Sequence, residues 1–235
     1  MFDGSASTVP DAHDFEAMRR RMVDEQLAAR DVRSTAVLDA MQRVPREAFV
    51  SADAIAGAFS DNAMPIDCDQ TISQPYIVAK MTELLEVSPQ SRVLEIGTGC
   101  GYQTAVLATL AQFVYSIEFH ARLADAARER LRRLGYFNVA IRCGDGTLGW
   151  PDQAPFDRII LTAGPPEVPP ALLDQLADGG ILVAPVGPLE DQTLIRMRRV
   201  GNSYPTEQVM SVRFVPMVGA EGWGGAAARG GSLEH

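Results

Sequence analysis

Val93-Leu94-Glu95-Ile96-Gly97-Thr98-Gly99-Cys100-Gly101-Tyr102 passes from a short apolar run into three alternating glycines and then into a helical pattern that reaches Ala111. A strand that turns on glycines and opens a helix is the first half of a βαβ unit. Phe113 to Glu118 reads as a second strand, Ala121 to Leu134 as an Arg-rich amphipathic helix, Val139 to Cys143 as a third strand and Asp157 to Thr162 as a fourth. This alternation predicts an α/β fold whose parallel sheet carries helices on both faces. Pro169 to Leu176 reads as a short helix broken at Gly179-Gly180, and Ile181 to Ala184 as a fifth strand. Two further apolar runs, Thr193 to Val200 and Gln208 to Val215, are separated by too little chain for a helical crossover, which predicts a C-terminal antiparallel hairpin.

Upstream of the glycines, residues 15 to 30 show helical spacing. A second helix starts at Ser34 and stops before Val44-Pro45. Residues 46 to 74 read mostly as loop, after which Pro75 opens a helix with Ile77, Val78, Met81, Leu84 and Leu85 on one face. The expected organisation is a disordered N-terminal arm over 1–14 and a helical extension over 15–86 packed on a core over 87–218. A flexible tail over 219–235 follows, ending in a Leu233-Glu234-His235 tag-like scar.

With 235 residues, 46% of them hydrophobic, the chain buries a core without disulfide or metal staples. Its 21 Lys and Arg against 30 Asp and Glu give a net charge of -9, the wrong sign for a surface that neutralises phosphates, so no nucleic-acid partner is expected. Cys68, Cys100 and Cys143 stand far apart without metal-ligand spacing, so no metal site and a reducing, cytoplasmic setting are expected. No run approaches the ~20 apolar residues of a membrane span, so no membrane partner is expected either.

The loop spacing is G-x-G-x-G, with its third glycine one position earlier than in the dinucleotide fingerprint. Glu95 directly ahead of it would repel a pyrophosphate and attract the ammonium of an amino-acid moiety, which favours S-adenosylmethionine over NAD. Glu118, 19 positions after Gly99, falls where nucleotide-binding α/β folds hold the ribose hydroxyls. Asp145, between Gly144 and Gly146 after the third strand, adds a further carboxylate where a flat ring can approach. The segment from Thr162 lacks the polar residue and the aromatic that flank Pro-Pro in amino-group methylation of bases, which argues against a base as acceptor.

Of three histidines only His120 lies in the body of the chain, where it reads as a first-turn helix residue. Methyl transfer from a sulfonium to an ionised carboxylate needs no imidazole, because both charges vanish as the bond forms. Ser73, in the polar cluster Asp69-Gln70-Thr71-Ile72-Ser73-Gln74-Pro75-Tyr76, reads either as a helix cap or as a hydroxyl for such an acceptor. Cys100 reads as a small loop side chain. A methyltransferase for another acceptor and an NAD-dependent oxidoreductase are the alternatives at this point.

Thr-Ile-Ser-Gln-Pro-Tyr from Thr71, the glycine stretch from Val93, Gly-Asp-Gly from Gly144, Leu-x-x-Gly-Gly-x-Leu-Val-x-Pro-Val-Gly from Leu176, Val-Pro-Arg-Glu-x-Phe from Val44 and Val-Arg-Phe-Val-Pro from Val212 occur together. In this combination, from about Met18 to Val218, the chain resembles the bacterial protein-L-isoaspartate (D-aspartate) O-methyltransferases. The resemblance implies a Rossmann-like class I sheet that uses S-adenosyl-L-methionine, with S-adenosyl-L-homocysteine as product. It also implies methylation of the free α-carboxylate of L-isoaspartyl residues in damaged peptides and proteins, with repair through a succinimide and a monomeric state. It further implies Ser73 as the active-site hydroxyl. Gln70, Thr71, Ile72, Glu95, Gly97, Thr98, Gly99 and Thr162 would lie at the cofactor, Glu118 at its ribose and Asp145 with Gly146 at its adenine. Ile66, Ser73, Val215 and Pro216 would meet the acceptor. Cys100 stands where serine is usual.

Overall fold

The computed structural model describes residues 12–224. α1 (Ala12–Met22) runs on as a wider π turn over Val23–Ala28, and α2 (Thr35–Arg43) is capped by Ser34, whose hydroxyl accepts from Val37 N. The stretch expected to be loop holds short 3-10 segments, Arg46–Phe49 and Ala52–Gly57, and then a two-residue ladder, β1 (Met64–Pro65) against β2 (Thr71–Ile72), that closes around a further 3-10 turn at Asp67–Asp69. Pro75 occupies the first turn of α3 (Pro75–Leu85), where its missing N–H has no intrahelical partner to lose.

The sheet follows as β3 (Arg92–Ile96), α4 (Tyr102–Leu110), β4 (Phe113–Glu118), α5 (Ala121–Arg133), β5 (Val139–Cys143), β6 (Phe156–Leu161), α6 (Pro170–Asp174), β7 (Leu176–Val186), β8 (Gln192–Arg198) and β9 (Thr206–Val212). Its order is β5-β4-β3-β6-β7-β8-β9, parallel through β7 and antiparallel from β7 to β9. The order reverses at β3, so the carboxyl ends of β3, β4 and β6 diverge around a crevice, the general ligand position of open α/β sheets.

Period-two alternation divides the core. Val93, Val114, Ile160, Ile181 and Val183 face the layer of α2, α3 and α4, while Leu94, Ile117, Ile159, Leu161, Leu182 and Ala184 face Leu172 of α6. The N-terminal helices share the first of these clusters with the sheet, Met22, Leu27 and Met41 being buried with Leu107 and Ile160. Among the described residues no helix is long and apolar enough to cross a membrane.

Two expected boundaries move. Of the arm expected over 1–14, residues 12–14 already belong to α1 and the rest lie outside the described residues. Of the tail expected over 219–235, residues 225–235 lie outside them, but 219–224 are held on the domain. There Trp223 N donates to Met217 O (2.8 Å) and its indole Nε1 to Gly164 O (2.9 Å). These bonds, with Ala220 N on Asp145, give a Gly-rich stretch the partners that composition alone does not reveal.

Candidate active site

The glycine loop is clamped from both sides. Gly97 N donates to Ile117 O (2.8 Å), Thr162 N to Ile96 O (2.9 Å), and the Thr162 hydroxyl reaches Gly97 O (2.5 Å). Gly97 sits at φ +100°, and a Cβ there would run into that same hydroxyl. A Cβ on Gly146 would run into Ile96 Cγ2. Both positions therefore need glycine, which lets Thr162 and Ile96 pack directly on the backbone at the strand ends.

Glu118, buried at the end of β4, accepts from Gly99 N through Oε2 (2.8 Å) and from His120 N through Oε1 (2.9 Å). One amide on each oxygen fixes the carboxylate in the cleft and leaves each oxygen a lone pair for a ligand hydroxyl. Beneath the loop runs a chain of hydroxyls: Thr98 Oγ1 lies 2.6 Å from Ser116 Oγ, and Ser116 Oγ (2.6 Å) and Thr104 Oγ1 (2.5 Å) both donate to Glu95 Oε2. Glu95 Oε1 is buried and unpartnered. Burial pushes the Glu95 carboxyl up to about 8 against the opposing pull of the two hydroxyls, with Glu118 adding to the rise.

This shift has a sign that can be measured. The native state keeps its Glu95 proton between the unfolded-state pKa near 4.5 and about 8, where the unfolded chain has lost it. The stability that this proton contributes is complete at the acid end and is lost as pH rises through that window. Glu95→Gln is expected to flatten the fall in unfolding free energy between those values, by an amount on the order of a few kcal/mol. Urea titrations of both proteins across the window check this, and parallel pH profiles would refute it.

Three stretches of chain meet around the cleft, which encloses about 1010 Å³ with its open mouth included. Gln70, Thr71, Ile72 and Ser73 form one wall with Ile77, Val78 and Met81 of α3. Gly97, Thr98, Gly99, Glu118, Gly146 and Thr162 form the floor, and Val215 and Pro216 form the opposite edge with Phe214 and Met217. The first wall is shaped by a strained turn in which Cys68 (φ 59°) and Asp69 (φ 55°) adopt left-handed backbone conformations. The N-cap of α3 is Gln74 and carries no side-chain cap bond, so of the two readings of Ser73 the cap is not the one realised.

Three of the expected site residues stand off the wall. Glu95 lies under the loop. Ile66 stands at the rim, its Cδ1 3.5 Å from the Cβ position of Gly99. Asp145 has both oxygens engaged by the chain itself, Oδ1 by Thr147 N (2.9 Å) and Oγ1 (2.6 Å), Oδ2 by Ala220 N (2.7 Å). The wall also includes Tyr102, Gln103, Phe119 and His120, which the sequence reading did not assign to it. Phe119 carried a usable signal, since an apolar residue following the ribose carboxylate at a strand end has little else to pack on. Burial pushes the Cys100 thiol up, in keeping with a small loop side chain rather than a nucleophile.

A crevice at the sheet's switch point, glycines lining it and a fixed ribose-type carboxylate fit S-adenosylmethionine, and together they define a class I S-adenosylmethionine-dependent methyltransferase. Residues 17–222 match the family described as protein-L-isoaspartate(D-aspartate) O-methyltransferase, and the chain belongs to that family. It is 55% identical over 216 residues to protein-L-isoaspartate O-methyltransferase 2 of Pelobacter propionicus, covering 91% of this chain and 96% of that one. It is 52% identical over 211 residues to protein-L-isoaspartate O-methyltransferase of Geobacter metallireducens, covering 89% and 98%. A solved protein-L-isoaspartate O-methyltransferase superposes with a TM-score of 0.78 at 29% identity, covering 86% of this chain and 67% of that one. A Plasmodium falciparum structure in complex with S-adenosyl-L-homocysteine shares the fold at a TM-score of 0.73 and 22% identity, covering 85% and 98%.

Proposed function

We propose that the chain transfers a methyl group from S-adenosylmethionine to the free α-carboxylate of L-isoaspartyl residues in damaged peptides and proteins. The product ester then closes to a succinimide. The supporting observation is the single cleft in which the hydroxyl wall of Thr71 and Ser73 and the Val215-Pro216 edge face the glycine loop. When bound, the cofactor supplies an electrophilic methyl group on a sulfonium sulfur. Gln70, Thr71, Ile72, Gly97, Thr98, Gly99 and Thr162 hold its methionine side, Glu118 its ribose hydroxyls and Gly146 its adenine. Asp145 serves the adenine end through its grip on Thr147 and Ala220, and Glu95 supports the loop from below.

Ser73, Ile66, Val215 and Pro216 orient the acceptor. An ionised carboxylate gives up no proton, so the protein's task is to align the attacking oxygen and exclude water, for which effective molarities reach ~10⁵ M or more. The free thiols of Cys68, Cys100 and Cys143 support a reducing, cytoplasmic setting. The reading extends to action as a monomer.

Incubation with methyl-labelled S-adenosylmethionine and matched isoaspartyl and aspartyl peptides tests this reading. Label is expected on the isoaspartyl peptide alone, as an ester lost in mild base. Equal labelling of the two peptides, or a base-stable product, would overturn it.

A further inference from the structure

Arg46 is fully buried, in the single 3-10 turn Arg46–Phe49. Its Nε donates to Ala58 O (2.6 Å) and its Nη2 to Ser73 O (2.8 Å), while its guanidinium carbon lies 4.7 Å from the centre of the Tyr102 ring. Nη1 has no partner. Among the described residues no carboxylate lies within ion-pair distance of it, and the adjacent Glu47 is paired with Arg19 instead. A guanidinium taken out of water without a counter-charge is costly, and such a charge is retained where a partner arrives to meet it.

The cleft is the neighbouring space. Ser73 and Tyr102, both in contact with Arg46, line it, whereas among the described residues no Lys or Arg does and the one lining carboxylate is Glu118. Among the described residues the other titratable groups around Arg46 are Cys100 at the loop, the Tyr102 phenol, pushed up by burial to about 12, and Glu47, whose charge reaches Tyr102 but whose ion pair is with Arg19. An anionic acceptor entering a protein of net charge -9 past Ser73 therefore meets the Arg46 guanidinium directly behind that side of the wall, while Arg130 is held on the far side at the Cys100 carbonyl of the glycine loop.

We propose that Arg46 is the positioning residue for the acceptor carboxylate: it fixes the Ser73 segment through the main-chain carbonyl and supplies, through the Ser73–Tyr102 wall, the positive charge that selects an ionised acceptor. This inference rests on the proposed carboxylate acceptor. Because the acceptor loses its charge as the ester forms, the attraction favours bound substrate over product. Arg46 thus governs acceptor affinity and release of the neutral ester, and it acts on the transfer step only through the placement of Ser73.

The wild-type protein provides the first test. A peptide carrying ¹³C in the isoaspartyl α-carboxyl is titrated by NMR while bound beside S-adenosylhomocysteine, whose sulfur is uncharged. The bound carboxyl is expected to titrate about one pH unit below the free peptide, a ten-fold preference for the ionised form. An unshifted or raised value overturns the inference while leaving methyl transfer intact, whereas a wild-type protein that methylates no isoaspartyl peptide fails the functional reading itself. Arg46→Gln is then expected to raise the isoaspartyl KM about ten-fold, with kcat falling by less than the loss that follows removal of the Ser73 hydroxyl. It is also expected to abolish discrimination between the isoaspartyl peptide and its α-carboxamide analogue as binding partners, and Arg46→Lys to restore that discrimination. Equal loss of affinity for the two peptides would mean that Arg46 only packs. Should Arg46→Gln fail to fold, the wild-type titration decides.

Discussion

Ser73→Ala is expected to lower turnover on saturating isoaspartyl peptide by about thirty-fold while moving S-adenosylhomocysteine affinity by less than about two-fold. The expectation follows from where the hydroxyl stands. It lines the cleft beside Thr71 and Ile72, and the helix that starts two residues later carries no side-chain cap bond, so its removal costs the fold little. What would be lost on the proposed reading is a hydrogen bond to a charged acceptor oxygen, worth ~1.5–3 kcal/mol when the oxygen must be held in line with the methyl group. Steady-state kinetics at saturating donor, calorimetry with S-adenosylhomocysteine and a thermal melt separate the possibilities. Unchanged turnover with a lowered melting temperature would return Ser73 to a structural role.

Glu118→Ala is expected to show the opposite partition, with donor affinity down by about a hundred-fold or more and turnover at saturating donor within a few-fold. The carboxylate is buried, and each oxygen already receives one backbone amide, from Gly99 and from His120. On the proposed reading, removing it strips the donor's ribose of its acceptors. It also leaves two amides without partners at the point where the glycine loop must hold its shape. Glu118→Gln, which keeps one acceptor oxygen and turns a donor toward the other amide, should fall between the two. If donor affinity in Glu118→Ala stayed within about three-fold of the parent, the assignment of this carboxylate to the ribose would fail.

The sequence already displayed most of the framework that positions these groups, for a physical reason. Val93–Ile96, the three glycines and the helix from Tyr102 are local signals, each decided within a few residues by propensity and φ requirements. The closing hairpin was legible because chain length alone forbids a crossover between β8 and β9. The path of β7 was not. Gly179-Gly180 looks like a break between helix and strand, yet pairing with β6 begins at Leu176, passes over a bulge and resumes at Ile181. Only the neighbouring strand holds the two parts of β7 in one ladder.

The site shows the same division. Positions on the glycine loop and at strand ends follow from local pattern. The engagement of Asp145 by Ala220 joins residues 75 apart, and its partner lies in a stretch whose composition resembles a linker. Glu95 was expected to face the ligand because it precedes the loop. Alternation instead turns its side chain beneath the loop, toward Ser116 and Thr104, where hydroxyls take the place of an ammonium. Arg46 gave no signal of its own in a motif read only for likeness. Its neighbours Ala58, Ser73 and Tyr102 come from three separate parts of the chain.

That the cleft is walled by residues 70–81, 96–163 and 214–218 bears on how the protein comes into being. On the ribosome, the segment bearing Ser73 emerges long before the Val215-Pro216 edge, and until that last edge leaves the exit tunnel the pocket has a missing side. A polypeptide that stops short of Val215 therefore lacks the side of the pocket that, on the proposed reading, meets the acceptor.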